Sequence, residues 1–467
     1  MNTNTSVTGR WSSRFAYILA ATGAAVGLGN IWKFPYIMGE NGGGAFVIVY
    51  LLCILFIGIP VMMAETFIGK RGRSTPANAA AKVAQESGNT THWSLLGTSG
   101  VLAGFLILSF YVVIAGWALA YVFFAGDGQF SAMALAAGDT GTAHADAVGA
   151  LFGGLLSDPF KLILCTSLMV VATVLVLGKG LNKGLEAAVT ALMPALFILL
   201  AIIMVYSAIE GNFGEAAAFM FAPDFSKLTI QSVLEALGHA FFTLSLSSGI
   251  MMIYGAYLPE GVSIARTSIW IAICDTLVAL MAGLAIYPIV FANGMEPNAG
   301  PGLLFQTLPI AFGKMPMGDL FGTVFFVMIV FAAFTSAIAL LESATAYLVE
   351  RKGMNRWPAA IVSGLGIWVL SLGSIYSFTG AEWTKMSLFG HGENFFDVLD
   401  YLTSKIMLPL AGLFTAIFVG WKVKRHIIEQ EVELNSAAFN VFYICLKFIA
   451  PVAITIVFAQ LVGIISL

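Results

Sequence analysis

The stretch Ala20 to Tyr36, AATGAAVGLGNIWKFPY, decides how this chain is read. It lies inside the first long apolar segment, yet it carries Gly23, Gly27 and Gly29, a polar Asn30 and a charged Lys33. Each glycine costs a helix roughly 1 kcal/mol relative to alanine, and a helix that only had to cross lipid would not collect them. Backbone that leaves the helix inside a bilayer must find its hydrogen bonds in protein, water or a bound ion. The stretch therefore reads as a helix broken in mid-membrane, with carbonyls and amides free to hold a ligand.

Composition agrees with a membrane setting. The 467 residues are 59% hydrophobic and 10% charged, with mean hydropathy +0.91, against about 25% charged residues in a soluble domain. A net charge of -3 carries no nucleic-acid signal. Cys53, Cys165, Cys274 and Cys445 fall in apolar segments without close Cys or His partners and read as small core residues. Arg10 and Arg14 lead straight into a long span with no small-residue cleavage site, so no cleaved leader is expected.

A span needs about 20 apolar residues. Eleven candidates lie at roughly 15–37, 41–69, 96–125, 160–178, 183–209, 232–257, 263–292, 318–349, 355–375, 395–421 and 437–464. The basic residues, among them Lys70, Arg71, Lys179, Lys183, Arg351 and Lys352, fall on one alternate set of loops. Asp127, Asp139, Asp146 and Asp158, then Glu210, Glu215 and Asp224, fall on the other. The positive-inside rule places the N-terminus in the cytoplasm. Eleven spans then put the C-terminus outside, and the chain stops at Leu467 without room for a twelfth. The charged run Trp421 to Asn435 is expected to be a short cytoplasmic helix. The fold class is an all-α polytopic membrane protein.

A second segment, residues 238–257 (GHAFFTLSLSSGIMMIYGAY), is interrupted at Ser245 to Gly249. Two such breaks at matching places in two five-helix halves point to a midplane site in an inverted-repeat transporter. Intramembrane ionisable residues are expensive and mark function by default; the deep ones here are Lys33, His239, Asp275, Glu342 and Lys405. Asp275, far from either loop, needs a partner or a cation. His239 reads equally as a core histidine, and no metal-binding pattern surrounds it. Thr335 and Ser336 are adjacent hydroxyls in an apolar run; a hard cation such as Na⁺ favours oxygen ligands, although such hydroxyls also bond back to their own helix. Tyr111 is a packing phenol or a ligand contact. Asp397 and Asp400 suit a helix N-terminus or a gate.

Taken together, GAAVGLGNIWKFPY with ENGGGAF (Glu40 to Phe46), FFTLSLSSG (Phe241 to Gly249), DTLVALMAG (Asp275 to Gly283), FTSAIA (Phe334 to Ala339) and DVLDYL (Asp397 to Leu402) resemble the neurotransmitter:sodium symporter family, in its bacterial amino-acid branch, over nearly the whole chain. The resemblance implies a LeuT-like 5+5 inverted repeat in one transport domain, 1–467: a first repeat of about 12–210, a second of about 230–421 and an extra helix of about 437–464. It implies two sodium sites. The first would use Ala25, Asn30, Thr243 and Asp275; the second, Gly23, Val26, Ala332, Thr335 and Ser336. The substrate carboxylate would meet amides near Gly27 and Gly29 and the Tyr111 hydroxyl. The ammonium would meet carbonyls of Ala24, Phe242, Thr243 and the Ser245 region. Ile107, Leu340 and Ser336 would complete the walls, with Phe242 and Tyr111 as a lid. Lys33 with Asp400 would form the outer gate, and Arg10 with Glu350 the inner one.

Several positions depart from the family pattern. Ala24 stands where monoamine carriers have an aspartate, which implies a substrate that brings its own carboxylate. Asp275 stands where chloride-dependent members have a neutral Asn; with Tyr50, His239, Thr243 and Ala279 around it, a fixed negative charge replaces the halide and chloride independence is expected. Lys33 replaces an Arg and loses its bidentate fork to Asp400. Trp11 has Thr8, not Arg, three residues before it. Ser248 stands where a bulky side chain closes the pocket of leucine-selective relatives, so large aliphatic or aromatic neutral L-amino acids are expected.

The expected activity is Na⁺-coupled symport into the cell across the inner membrane, as a monomer or weak homodimer in lipid, with no nucleic-acid partner and no enzymatic chemistry. The alternative is a proton-coupled or small-neutral-amino-acid carrier of the same fold, in which His239, Asp275 and Glu342 relay protons. A channel would need a continuous polar lining, which Phe242 and Tyr111 interrupt. An intramembrane enzyme would need a nucleophile or metal motif that the spans lack.

Overall fold

The structure is a computed structural model that describes residues 9–138, 141–296 and 302–465. Thr8 and Asp139, used in the sequence reading, lie outside the described residues, as does Leu467. In chain order the helices begin with α1 (Arg14–Ala25), α2 (Gly29–Glu40), α3 (Gly44–Gly72), α4 (Pro76–Glu86), α5 (Thr91–Gly126) and α6 (Gln129–Ala137). They continue with α7 (Gly141–Leu156), α8 (Pro159–Gly178), α9 (Leu181–Glu210), α10 (Phe213–Phe221), α11 (Ile230–Thr243), α12 (Ile250–Ala256) and α13 (Ile264–Ala292). The last are α14 (Leu308–Lys314), α15 (Gly318–Lys352), α16 (Arg356–Phe378), α17 (Phe395–Lys422), α18 (Arg425–Val432) and α19 (Ser436–Leu461).

Among the described residues, nine helices are long and apolar enough to cross a membrane: α3, α5, α8, α9, α13, α15, α16, α17 and α19. The α1–α2 pair passes the same test together and is bent by 53° at its break. The α11–α12 pair covers the remaining candidate segment.

The stretches 126–159 and 210–230, expected as connections, instead hold α6, α7 and α10. These helices are too short to span, so a search for about 20 apolar residues passes over them. Their apolar faces still need cover: Phe130 and Met220 are fully buried against the bundle. The charged run 421–435 contains the expected short helix, α18, fastened to the end of α3 by Lys70–Glu431 (3.3 Å) and Arg71–Glu431 (3.0 Å).

Capping sets where the broken helices begin. Ser13 accepts from the amide of Ala16 at the start of α1 (3.1 Å), and Thr229 and Ser232 form a reciprocal capping box at the start of α11. The α1 ladder ends as Val26 turns extended, at φ -68° and ψ 111°. Beyond α11 the chain takes left-handed φ at Ser245 (51°), Ser247 (68°) and Gly249 (77°). Such values cost about 1–3 kcal/mol at a non-glycine residue, so this turn is held by its surroundings. Part of the hold is Glu65 of α3, fully buried, whose Oε1 accepts the Ser247 amide at 2.7 Å. The long helices α5 and α15 pack against each other, and both breaks lie beside them.

Candidate functional site

At the first break, three carbonyl oxygens converge on one hydroxyl. Ser336 Oγ lies 3.4 Å from the oxygen of Gly23, 3.2 Å from that of Val26 and 3.2 Å from that of Ala332. Thr335 Oγ1 bonds back within α15, to Ala332 O (3.0 Å) and Phe331 O (3.2 Å). This is a nest of neutral oxygens, the donor set of a hard monovalent cation. Among the described residues no cluster of three or more His, Cys, Asp or Glu could hold a metal.

A second cluster joins α2, α11 and α13. Asn30 Nδ2 donates to Asp275 Oδ1 (2.8 Å) and to the Asp275 carbonyl (3.1 Å), and Asn30 Oδ1 accepts the Gly27 amide (3.2 Å). Asp275 is fully buried, and its Oδ2 has no hydrogen-bond partner. A buried carboxylate oxygen left over in this way is costly unless a cation or proton meets it. Thr243 Oγ1 lies 3.2 Å from the Tyr50 hydroxyl, and Ala25 and Ala279 are buried in the same core. His239 has no hydrogen-bond partner at either ring nitrogen and packs against Phe34 (5.7 Å, stacked) and Tyr50 (5.6 Å, tilted). That is the packing of a core histidine.

Between these clusters lies a small cavity. Of the residues expected around the substrate, it brings together Ala24, Ala25, Gly27, Gly29, Ile107, Tyr111, Phe242, Ser245, Ser248, Ser336 and Leu340; Leu28, Leu246 and Leu408 also line it, and Thr243 does not. The Leu28 amide donates to Tyr111 Oη at 3.3 Å, and Ser245 Oγ donates to the Ala24 carbonyl at 2.8 Å. Gly27 is required by space: a Cβ there would stand 2.7 Å from both Ser336 Oγ and Tyr111 Oη. A Cβ on Gly29 would stand 3.0 Å from the Phe242 ring. Ser248 Oγ turns back to the Ser245 carbonyl (2.7 Å), leaving the wall beside it short.

Phe242 also borders a larger cavity that opens at the end of α2 away from the N-terminus and is lined by Lys33, His239, Asp400 and Lys405, among others. The expected Lys33–Asp400 pair is not formed. Lys33 Nζ sits 4.5 Å above the Phe242 ring, while Asp400 accepts from Ser404 Oγ (2.8 Å). The unforked lysine rests over the ring face and makes no salt bridge to the carboxylate. Asp397 serves its helix start, accepting from the Glu393 amide (3.1 Å) and Asn394 Nδ2 (2.9 Å).

The expected Arg10–Glu350 pair is also absent. Arg10 meets Glu260 at 3.0 Å on an exposed surface, and Glu350 accepts from the Thr75 amide (2.6 Å) and Asn78 Nδ2 (2.9 Å) at the start of α4. Closure at this end comes from deeper groups. Trp11 is buried with Nε1 on the Tyr254 carbonyl and its amide on the Tyr257 carbonyl, both 3.1 Å. Glu342, fully buried, is held by a forked Arg356 and by the Tyr257 hydroxyl at 2.6 Å, and Arg356 Nε reaches the Leu177 carbonyl at 2.9 Å. Nearby, Arg71 donates to Glu86 and pulls that carboxyl below its ordinary range. Among the described residues no hydrogen bond links Glu342 to His239 or Asp275.

Sequence reasoning missed the roles of Arg356, Tyr257 and Glu65. Glu65 carried a usable signal, a lone carboxylate in the apolar run Met62 to Phe67. Arg356 carries no such mark, because its partner lies fourteen residues back, across a turn.

A helical membrane bundle with two breaks facing each other, carbonyl oxygens gathered at the first and a cavity between them has the architecture of an ion-coupled secondary transporter. The chain belongs to the sodium:neurotransmitter symporter family, whose profile matches residues 8–131 and 153–466. An uncharacterized sodium-dependent transporter of Bacillus subtilis (strain 168) is 36% identical over 461 residues, covering 98% of both chains. The human sodium- and chloride-dependent GABA transporter 2 is 24% identical over 501 residues, covering 96% of this chain and 79% of that protein. The crystal structure of MhsT in complex with L-phenylalanine superposes with TM-score 0.86 and 40% identity, covering 97% of this chain and 99% of the other. The protein is a sodium-dependent, multi-pass membrane transporter with the LeuT-like fold.

Proposed function

We propose that this chain carries a neutral, large hydrophobic or aromatic L-amino acid into the cell together with Na⁺, by alternating access and without chloride. The observation that carries the reading is the pair of oxygen clusters flanking one cavity: the Gly23, Val26, Ala332 and Ser336 nest on one side, the unsatisfied Asp275 carboxylate on the other. Gly27 and Leu28 amides beside Tyr111 suit a substrate carboxylate at a half-helix N-terminus. The apolar walls and short Ser248 suit a large side chain, and the solved relative named above holds L-phenylalanine.

Asp275 supplies the fixed negative charge that makes a halide unnecessary; related carriers described as chloride-dependent share the fold but only about a quarter of the sequence. Two Na⁺ per substrate, moved through 100 mV, release about 4.6 kcal/mol, roughly a thousandfold accumulation at about 1.4 kcal/mol per tenfold. Substrate and Na⁺ that share one site strengthen each other's binding reciprocally.

The reading includes eleven spans in the inner membrane with the N-terminus cytoplasmic, repeats of about 12–210 and 230–421, and an extra helix of about 437–464. The test is uptake of the twenty amino acids in proteoliposomes with Na⁺, with choline, and with chloride replaced by gluconate. Uptake of aromatic and large aliphatic substrates that needs Na⁺ and survives gluconate is expected. Uptake unchanged in choline sinks sodium coupling, and uptake that follows a proton gradient favours the alternative carrier.

A further inference from the structure

Where α17 ends and α19 passes it, four cations form no salt bridge, although Lys424 lies near enough to Glu86 to help hold that carboxyl low. Lys422, Lys424, Arg425 and Lys447 make no ion pair among the described residues, while Lys70 and Arg71 close by are paired with Glu431. Lys447 lies well inside the apolar helix α19 (Ser436–Leu461), where an ammonium is expensive unless something receives it. Its Nζ is surrounded by rings: Trp421 at 4.7 Å, Tyr443 at 5.4 Å and Phe448 at 5.7 Å. Arg425 takes the same Tyr443 at 5.3 Å and Phe439 at 5.2 Å. Two main-chain contacts stitch the seam: Trp421 Nε1 to the Lys447 carbonyl and Tyr443 Oη to the Gly420 carbonyl, both 2.9 Å. Rings and the Asn440 side chain thus hold Arg425 and Lys447 in place, while Lys422 and Lys424 are exposed beside them.

The other flank of α17 carries an apolar groove of about 570 Å³ between α17 and the start of α5. Trp93, Leu96, Met407, Leu410 and Phe414 line it, with His92 at its foot. That size falls within the roughly 300–1,000 Å³ of ligand-holding pockets. The foot is joined to the cations through its own chain: Asn89 Nδ2 donates to the Lys422 carbonyl (2.8 Å), and the Lys424 amide donates to Ser87 Oγ (3.4 Å). Phe414 and Trp421 are seven residues apart on α17, whose last turn, Phe418–Lys422, is π-helical, so the ring cluster begins about two turns beyond the groove on the same helix. Both are partly open, with Phe414 48% and Trp421 54% exposed.

We propose that this seam is a binding site for an anionic phospholipid, its phosphodiester at Lys422, Lys424, Arg425 and Lys447 and one acyl chain in the groove beside Phe414. Only an amphipathic anion matches both halves: a soluble phosphate has no use for the groove, and a zwitterionic lipid does not need the unpaired charge. Basic pockets between helices at a membrane surface recognise such headgroups, and indole and phenol rings settle at that depth. The occupied site fastens α19 to α17, the helix that supplies Asp400 and Leu408 to the two cavities.

The test uses the full-length protein, purified in detergent and stripped of lipid. Its thermal unfolding is followed with added phosphatidylglycerol, phosphatidylcholine of the same acyl chains, or inorganic phosphate, and lipid retention is counted by native mass spectrometry. Phosphatidylglycerol is expected to raise the midpoint clearly more than the other two. The surface variant Lys422→Gln/Lys424→Gln, which disturbs no ring contact, and Lys447→Gln/Arg425→Gln are each expected to lower its retention several-fold. Ala411→Trp, which fills the groove, is expected to lower retention with the charges intact. An equal shift with phosphatidylcholine overturns the headgroup assignment. An equal shift with inorganic phosphate reduces the site to a surface anion patch and overturns the lipid. Unchanged retention in the surface double variant overturns the proposal even where the other variants fail to fold.

Discussion

At the end of the bundle that carries the N-terminus, Glu342 is buried in a fork of Arg356 and a hydrogen bond from Tyr257, with Trp11 seated on the backbone beside it. At the opposite end, Lys33 and Asp400 line one cavity without forming a salt bridge, and Phe242 and Leu408 stand between that cavity and the pocket. One end is closed by buried charge that is expensive to separate, the other by apolar side chains with no salt bridge across them. A rocking mechanism needs this asymmetry in any one state: the firm end stores the conformation and the light end admits the ligand. The firm end here is assembled from α12, α15, α16 and the end of α8, so it couples the second broken segment directly to the helices that frame the site.

The largest effect is expected from breaking the firm end. Arg356→Ala leaves Glu342 charged, buried and unpaired, which costs about 3–5 kcal/mol. Denaturant or thermal unfolding of the purified protein reads this, and cysteine labelling near Trp11 reads the opening. Glu342→Gln/Arg356→Gln, with no charge left behind, should regain most of the loss. A single variant as stable as the parent would show that the end is held by other contacts. Next comes the pocket that both ends guard. Gly27→Ala places a methyl group on two hydroxyls, and overpacking of this kind costs about 1–3 kcal/mol. We expect amino-acid binding about a hundredfold weaker, near 2.8 kcal/mol at about 1.4 kcal/mol per tenfold, a larger loss than that of the unfolding midpoint. Binding within threefold of the parent would remove the Gly27 region from the substrate site.

How much of this asymmetry was legible in the sequence depends on distance along the chain. The two breaks announce themselves locally, because Gly, Ser and Asn inside an apolar run oppose a membrane helix. The pocket residues came from motif positions, and the geometry gathers nearly all of them around one cavity. The expected gate pairs are not formed as salt bridges in this structure. An ion pair depends on reach and on the competing partners nearby, and the sequence shows neither. Lys33 found a ring, Arg10 found Glu260 and Glu350 found an amide. The short helices α6, α7 and α10 escaped because amphipathic cover over a bundle does not need twenty apolar residues.

A smaller effect is expected where the firm scaffold meets the first break. Ser336→Ala removes the hydroxyl on which the Gly23, Val26 and Ala332 carbonyls converge, but leaves the carbonyls in place. Sodium dependence of amino-acid binding should move about tenfold towards higher Na⁺, about 1.4 kcal/mol, with amino-acid affinity at saturating Na⁺ close to that of the parent. Thr335→Ala should move it less, since Thr335 is satisfied within its own helix. The reverse order would relocate the cation towards Thr335.

The smallest effect is expected at the light end, and it tests the comparison from the other side. Lys33 contributes a ring contact to Phe242 in a partly open cavity, a geometry that yields about 0.5–1 kcal/mol. Lys33→Gln should therefore change amino-acid affinity by less than about fivefold, at about 1.4 kcal/mol per tenfold, and leave the unfolding midpoint unmoved. Its effect should fall on the rate at which substrate enters and leaves, because the ring it steadies is part of the barrier between cavity and pocket. Asp400→Asn, in the same cavity and hydrogen-bonded to Ser404, should behave likewise, and the two changes should add, since the groups form no salt bridge. Strong non-additivity would mean that Lys33 and Asp400 meet in a closed state, and the light end would then share the firm end's chemistry for part of the cycle.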